Sequence, residues 1–243
     1  MSNIVKKHYD EHLAGFYSWM TGNFSQRVQE IKEFFKKNKI IPHSDGFAVD
    51  LGSGHGIQSA ALLELGFTVT AVDFSEHLLG ELKQNLASKV RIVNKDISNY
   101  AYSAENKPEL IICMGDTLTH LASTDEVKEL IENAARNLVP GGKLVISYRD
   151  MSKELAVTAR FIPVKSDDNR ILTCFLEYYD DSVIVNDILY EKVNDKWIMS
   201  ISSYPKLRLA KETVYRILES CGFAVILKTD ITGMHYIVSQ KQK

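Results

Sequence analysis

The feature that most narrows what this chain can fold into is the run Val49-Asp50-Leu51-Gly52-Ser53-Gly54-His55-Gly56. Ahead of and within it, Phe47, Ala48, Val49 and Leu51 make a short apolar run, as in a strand buried on both faces. Behind it, Ile57, Ala60, Ala61, Leu62 and Leu65 recur at helical spacing. Strand, glycine turn and helix in that order make the first unit of a nucleotide-binding α/β sheet. The glycines let the backbone turn sharply and approach a ligand closely, where a Cβ would stand in the way. A second strand follows over 67–72 and ends at Asp73, whose carboxylate can accept hydrogen bonds from a ribose diol.

Two cofactors use such a unit, and the spacing separates them. The dinucleotide fingerprint, G-x-G-x-x-G, puts its third glycine on the first turn of the helix. Here Ile57 holds that place and the glycine falls one residue early. Asp50, two places before the glycine run, has no part in the dinucleotide pattern. Asp50 with G-x-G-x-G resembles the first motif of the class I S-adenosylmethionine-dependent methyltransferases. The resemblance implies a Rossmann-like α/β fold, a seven-stranded mixed sheet flanked by helices, and S-adenosyl-L-methionine as cofactor. It places Asp50 near the methionine moiety, Gly52, Ser53, Gly54 and Gly56 beneath it, and Asp73, followed by Phe74, at the ribose. The competing readings are a glycine turn that binds nothing, a non-catalytic S-adenosylmethionine-binding module, and an NAD(P)-dependent oxidoreductase.

The rest of the chain repeats the rhythm. Ser75 is placed to cap a helix over 76–87, and a third strand over 90–93 precedes Asp96 and Ile97. The resemblance puts these two beside the adenine, whereas a turn cap explains Asp96 equally well. Strand 109–114 runs into Gly115 and Asp116. Thr124 starts a helix through Leu138, Pro140-Gly141-Gly142 stops it, and strand 143–148 leaves Arg149 at its end. Between 161 and 209 the period changes to long alternation broken by Asp180-Asp181 and Asn194-Asp195. That is an antiparallel β meander of roughly three strands inserted after strand 5, capping the edge where ligands bind. Helix 211–220 and a closing strand pair over 223–229 and 235–240 complete the sheet. Ligands in such sheets lie outside the carboxyl ends of the strands, where these candidate residues fall.

At 243 residues and 45% hydrophobic, the chain suits one domain over 1–243, with an N-terminal helical lid over 1–40 and the β cap over 159–209. A formal charge of −2 argues against wholesale nucleic-acid binding. Cys113, Cys174 and Cys221 are odd in number and set in apolar contexts, which suits a reducing compartment. With no signal-peptide core and no run of membrane-spanning length, the expectation is a cytoplasmic protein with no membrane partner. His8-Tyr9-Asp10-Glu11-His12 matches H-x-x-E-H, a zinc-peptidase pattern, but the remaining chain announces another fold and no metal is expected. The aromatic N-terminal segment reads better as a lid that excludes water.

Within class I, the chain looks most like the glycine N-methyltransferase group, on the segments FYSWMTGNFSQR, ICMGDTLTHL, GGKLVISYRD and SSYPKLRL. That likeness implies that Tyr17 packs on the cofactor, Arg27 holds its carboxylate, and Met114 and Gly115 border it. It also implies that Arg149 clamps an acceptor carboxylate; a salt bridge to Asp150 or a neighbouring loop is the plain alternative. The acceptor is expected to be a small molecule, an amine or a carboxylate-bearing metabolite. Asp116 departs from the group, which has Asn there, and a carboxylate at that place favours an unreactive ammonium. His120 is read either as a proton relay or as a satisfied residue at a helix start.

Overall fold

The computed structural model describes residues 3–103 and 106–242. The chain begins with α1 (Asn3–Glu11), a 3-10 turn, α2 (Tyr17–Thr21) and α3 (Phe24–Lys37). Asn23 caps α3, its side-chain oxygen accepting from the Gln26 amide at 2.9 Å. Then β1 (Phe47–Leu51), α4 (Ile57–Glu64), β2 (Thr68–Asp73), α5 (Glu76–Leu86) and β3 (Arg91–Asn94) alternate. They are followed by β4 (Leu110–Cys113), α6 (Thr124–Asn137) and β5 (Lys143–Tyr148). Ser123, one residue before the expected Thr124, caps α6, because its hydroxyl accepts from the Glu126 amide at 3.2 Å.

After β5 come β6 (Phe161–Ser166), β7 (Arg170–Tyr178), β8 (Ser182–Val193) and β9 (Lys196–Leu207). The chain ends with α7 (Lys211–Ser220), β10 (Phe223–Ile231) and β11 (Met234–Lys241). Among the described residues, the main sheet has seven strands in the order β10-β11-β5-β4-β1-β2-β3. β11 runs antiparallel to β5 and β10, and the other pairs are parallel. Strand order reverses between β1 and β4, so a crevice opens at their carboxyl ends. Residues of α3, α4 and α5 pack on one face around Ala48, Ala71 and Ile112. Those of α6 and α7 pack on the other around Val49, Ile111 and Ile146.

The inserted sheet has four strands in the order β6-β7-β8-β9, one more than the alternation predicts. β6 escapes a sequence reading because Pro163 interrupts it and the register shifts between Pro163 and Lys165. The β8–β9 turn is legible: Asn194 and Asp195 take φ of 49° and 59°, the left-handed pair that a tight hairpin requires.

Candidate active site

The glycine turn is held in place by its own backbone. The amides of Gly52 and Ser53 donate to the Val72 carbonyl at 2.8 and 3.1 Å, tying the loop to the end of β2. Gly52 has φ of +75°, and a Cβ there would sit 2.3 Å from Thr117 Cγ2, so only glycine fits. Asp73 is buried and accepts from the Gly54 amide through Oδ2 and the Ser75 amide through Oδ1, both at 2.9 Å. Burial raises its pKa, and these two donors pull against that rise. Asp50, at the end of β1, is also buried and accepts from Ser59 Oγ at 2.7 Å. Burial pushes its carboxyl up to about 7, with the Ser59 bond holding it down and Asp73 adding to the rise.

These strand ends border a cavity of about 40 Å³ walled by Gly52, Ser53, Gly54, Asp73, Phe74, Met114, Gly115 and Thr117. Tyr9, Tyr17 and His120 close it. Tyr17 Oη lies 3.3 Å from where a Gly54 Cβ would be, and Tyr9 meets Phe74 edge-on at 5.4 Å. Ser53 Oγ and His120 Nδ1 are buried without a hydrogen-bond partner, each beside this cavity. Unpaired polar atoms on a cradle cleared of Cβ atoms fit a polar ligand such as an adenosyl group. A wider groove of about 640 Å³ runs along β2 and β3 past Arg91 and Tyr102, with neither the glycine turn nor the strand-end carboxylates in its wall.

Asp116 occupies a left-handed backbone position, φ 73°, immediately after β4. Its Oδ1 accepts from the Arg149 amide at 2.6 Å, and its Oδ2 takes the Arg149 guanidinium and Lys206 Nζ, the latter at 3.0 Å. Burial opposes ionisation of this carboxyl, but Lys206 and Arg149 overcome it and hold the pKa well below the usual range. Arg149 therefore pairs with Asp116, not with Asp150, whose oxygens take the amides of Ser152 and Lys211. His120 is buried, its Nε2 lying 3.2 Å from Tyr9 Oη and its ring 5.7 Å from Tyr204. Burial, then the nearby Lys206 charge, pull its pKa down to about 3, so the imidazole is neutral.

Of the expected cofactor residues, Asp50, Gly56, Arg27, Asp96 and Ile97 do not line the cavity, the first two lying behind the glycine turn. Arg27 sits on the exposed side of α3 and pairs with Glu30 one turn on, outside the cavity wall. Asp96 caps the turn over 97–99, its Oδ1 accepting from the Ser98 amide at 3.0 Å. Ile97 packs into the core with Val49, Leu51 and Val72. The H-x-x-E-H residues also diverge: His8 Nδ1 bonds Ser202 Oγ at 2.7 Å, while Glu11 faces solvent near Lys7. Among the described residues no group of three or more His, Cys, Asp or Glu is arranged to hold a metal. The sequence reading missed Tyr9, Gln58, Leu78, Thr117 and Lys206. A lysine at an inward position near a strand end was the one available signal for the last.

Residues 48–142 match the model of a family described as a methyltransferase domain. The chain is 26% identical over 224 residues to a glycine/sarcosine N-methyltransferase of Aphanothece halophytica, covering 89% of this chain and 81% of that protein. The class I reading holds on fold, motif and relatives together. Residues 48–142 carry a class I S-adenosylmethionine-dependent methyltransferase domain. The methyltransferase also superposes on CcbJ of Streptomyces caelestis with a TM-score of 0.79 at 17% identity, covering 97% of this chain and 98% of that one. With CalS10, an amino pentose methyltransferase of Micromonospora echinaspora solved with S-adenosylmethionine bound, the TM-score is 0.71 at 12% identity, with 92% and 94% covered. Its cofactor is S-adenosylmethionine, and in the described residues no helix is long and apolar enough to cross a membrane.

Proposed function

We propose that this methyltransferase acts on the amine nitrogen of a small-molecule acceptor. The observation that carries the reading is the enclosure of the site by three separate parts of the chain. β9 brings Tyr204 and Lys206 over the strand ends, α1 brings Tyr9 onto His120, and the turn after β4 supplies Asp116. An acceptor must fit beneath this roof, which suits a metabolite better than a polymer. The glycine/sarcosine enzyme and the amino pentose enzyme both take small amines by name, which supports the same choice.

The cofactor, when bound, supplies a methyl group on a sulfonium that already carries its leaving group. What remains for the protein is to bind, orient and exclude water. Asp73 offers its carboxylate to the ribose hydroxyls while Gly54 and Ser75 hold it in place. Gly52, Ser53 and Gly54 would let the main chain pass under the methionine moiety, while Gly56 makes room for Leu82 and Leu86 and Asp50 lies behind the turn. Met114, Gly115, Tyr17 and Phe74 line the cavity and would hold the adenosyl group. His120, neutral and with Nδ1 unengaged, would hydrogen-bond the acceptor nitrogen. Asp116 and Arg149 shape the acceptor side.

The test is release of S-adenosylhomocysteine across a panel of amino acids, amino sugars, simple amines, phenols, thiols and carboxylates. Turnover concentrated among the small amines is the expected result. Turnover confined to phenols, thiols or carboxylates overturns the reading.

A further inference from the structure

The acceptor side carries an uneven charge count. Among the described residues, Asp116 is the one carboxylate paired with Lys206 or Arg149, and it faces both. Lys206 is only 7% exposed, which is rare for lysine and costly unless its charge is answered. The aromatic groups packed on this cluster add no charge to it. His120 is neutral, and burial holds the phenols of Tyr9 and Tyr204 well above their ordinary range. Asp187, a separate buried carboxylate on β8 beyond Tyr204, accepts from Cys174 Sγ at 2.8 Å and lies 3.3 Å from His8 Nε2. Within the cluster itself one carboxylate meets two cations, a local excess of one positive charge. Lys206 and Arg149 also keep N–H donors that Asp116 does not use.

We propose that Lys206 is a specificity-determining residue that cancels Asp116, so that the site admits neutral or anionic groups and turns cations away. The inference rests on the amine reading above and deepens it. Without Lys206, a buried carboxylate beside the reacting centre would attract an amine as its ammonium ion, which has no lone pair. With Lys206, like-charge repulsion favours loss of that proton before the amine settles. The neutral amine then attacks with its own lone pair: the N–C bond forms and the C–S bond breaks, its pair passing to sulfur. The new ammonium gives up an N–H proton to solvent, and the same positive field helps expel it. No dedicated base is needed.

The experiment titrates the full-length protein, saturated with S-adenosylhomocysteine, with acetate and with methylammonium as charge probes, followed by calorimetry or NMR. Wild-type protein should prefer acetate by about tenfold or more, as expected for one uncompensated charge in a partly buried site. Lys206→Met should erase about tenfold of that preference, Lys206→Arg should restore it, and Asp116→Asn should widen it. Lys206→Arg and Asp116→Asn keep the measurement decisive should Lys206→Met fail to fold. An unchanged preference in Lys206→Met overturns the proposal. So does equal or better binding of methylammonium by the wild type, or absence of acetate binding. Failure of S-adenosylhomocysteine itself to bind counts against the cofactor assignment instead, so the two failures are distinguishable.

Discussion

Asp50 and His120 are buried titratable groups with opposite consequences for stability. The Asp50 carboxyl is raised to about 7 in the folded protein, so its contribution is complete below the ordinary carboxylate range and drains as pH rises toward 7. Asp50→Asn should therefore gain on the wild type by up to about 4 kcal/mol between pH 4 and pH 8, measured by urea unfolding at both. His120 falls to about 3, so its contribution is intact above its ordinary value of 6.5 and is lost as pH drops toward 3. Gly56 has φ of +100°, and a Cβ there would sit 2.9 Å from Leu82 Cγ. Gly56→Ala should lower stability by about 1–3 kcal/mol, read from the shift in urea midpoint. At this scale the sequence revealed what spacing encodes. Gly52, Gly54, Gly56 and Asp73 announced themselves because three glycines and a strand-end acid sit at fixed offsets. The partner of Arg149 did not: Asp116 stands 33 positions upstream and meets it only because β4 and β5 are adjacent.

At the level of elements, α1 and α2 form the roof of the cavity and are fastened to the inserted sheet. His8 bonds Ser202 on β9 and stacks on Tyr204 with ring centres 4.0 Å apart, while the next residue, Tyr9, reaches His120. The cavity beneath is about 40 Å³, far below the roughly 300–1,000 Å³ usual for ligand sites. Cofactor entry therefore requires Tyr9 and Tyr17 to shift. Tyr17→Ala should speed release of S-adenosylhomocysteine by about tenfold in stopped-flow fluorescence, the loss of one covering aromatic ring. Release unchanged in that variant would mean that this helix does not gate the site. His8→Ala should loosen the whole segment by about 1 kcal/mol, seen as faster proteolytic nicking between residues 12 and 22. The aromatic character of the segment before the first strand was legible, but its attachment was not, because His8 and Ser202 meet across 194 positions. β6 was hidden for a different reason: its proline and shifted register erase the alternation that revealed its three neighbours.

For the molecule as a whole, function follows from topology. The reversal between β1 and β4 opens the crevice, β2 brings Asp73 to its edge, and the insertion between β5 and α7 lowers Lys206 onto Asp116. The seven-stranded frame could be read in advance, since each βα unit carries its own periodicity and turn chemistry. The charge balance of the acceptor side could not, because it depends on how a separate sheet folds back on the first. The central claim is that the glycine turn and Asp73 together hold an adenosyl cofactor, and calorimetric titration with S-adenosylhomocysteine tests it most directly. The account predicts saturable binding by the wild type and a loss of about 2 kcal/mol or more in Asp73→Ala, with the fold retained by circular dichroism. Equal affinity in the wild type and in folded Asp73→Ala would contradict it.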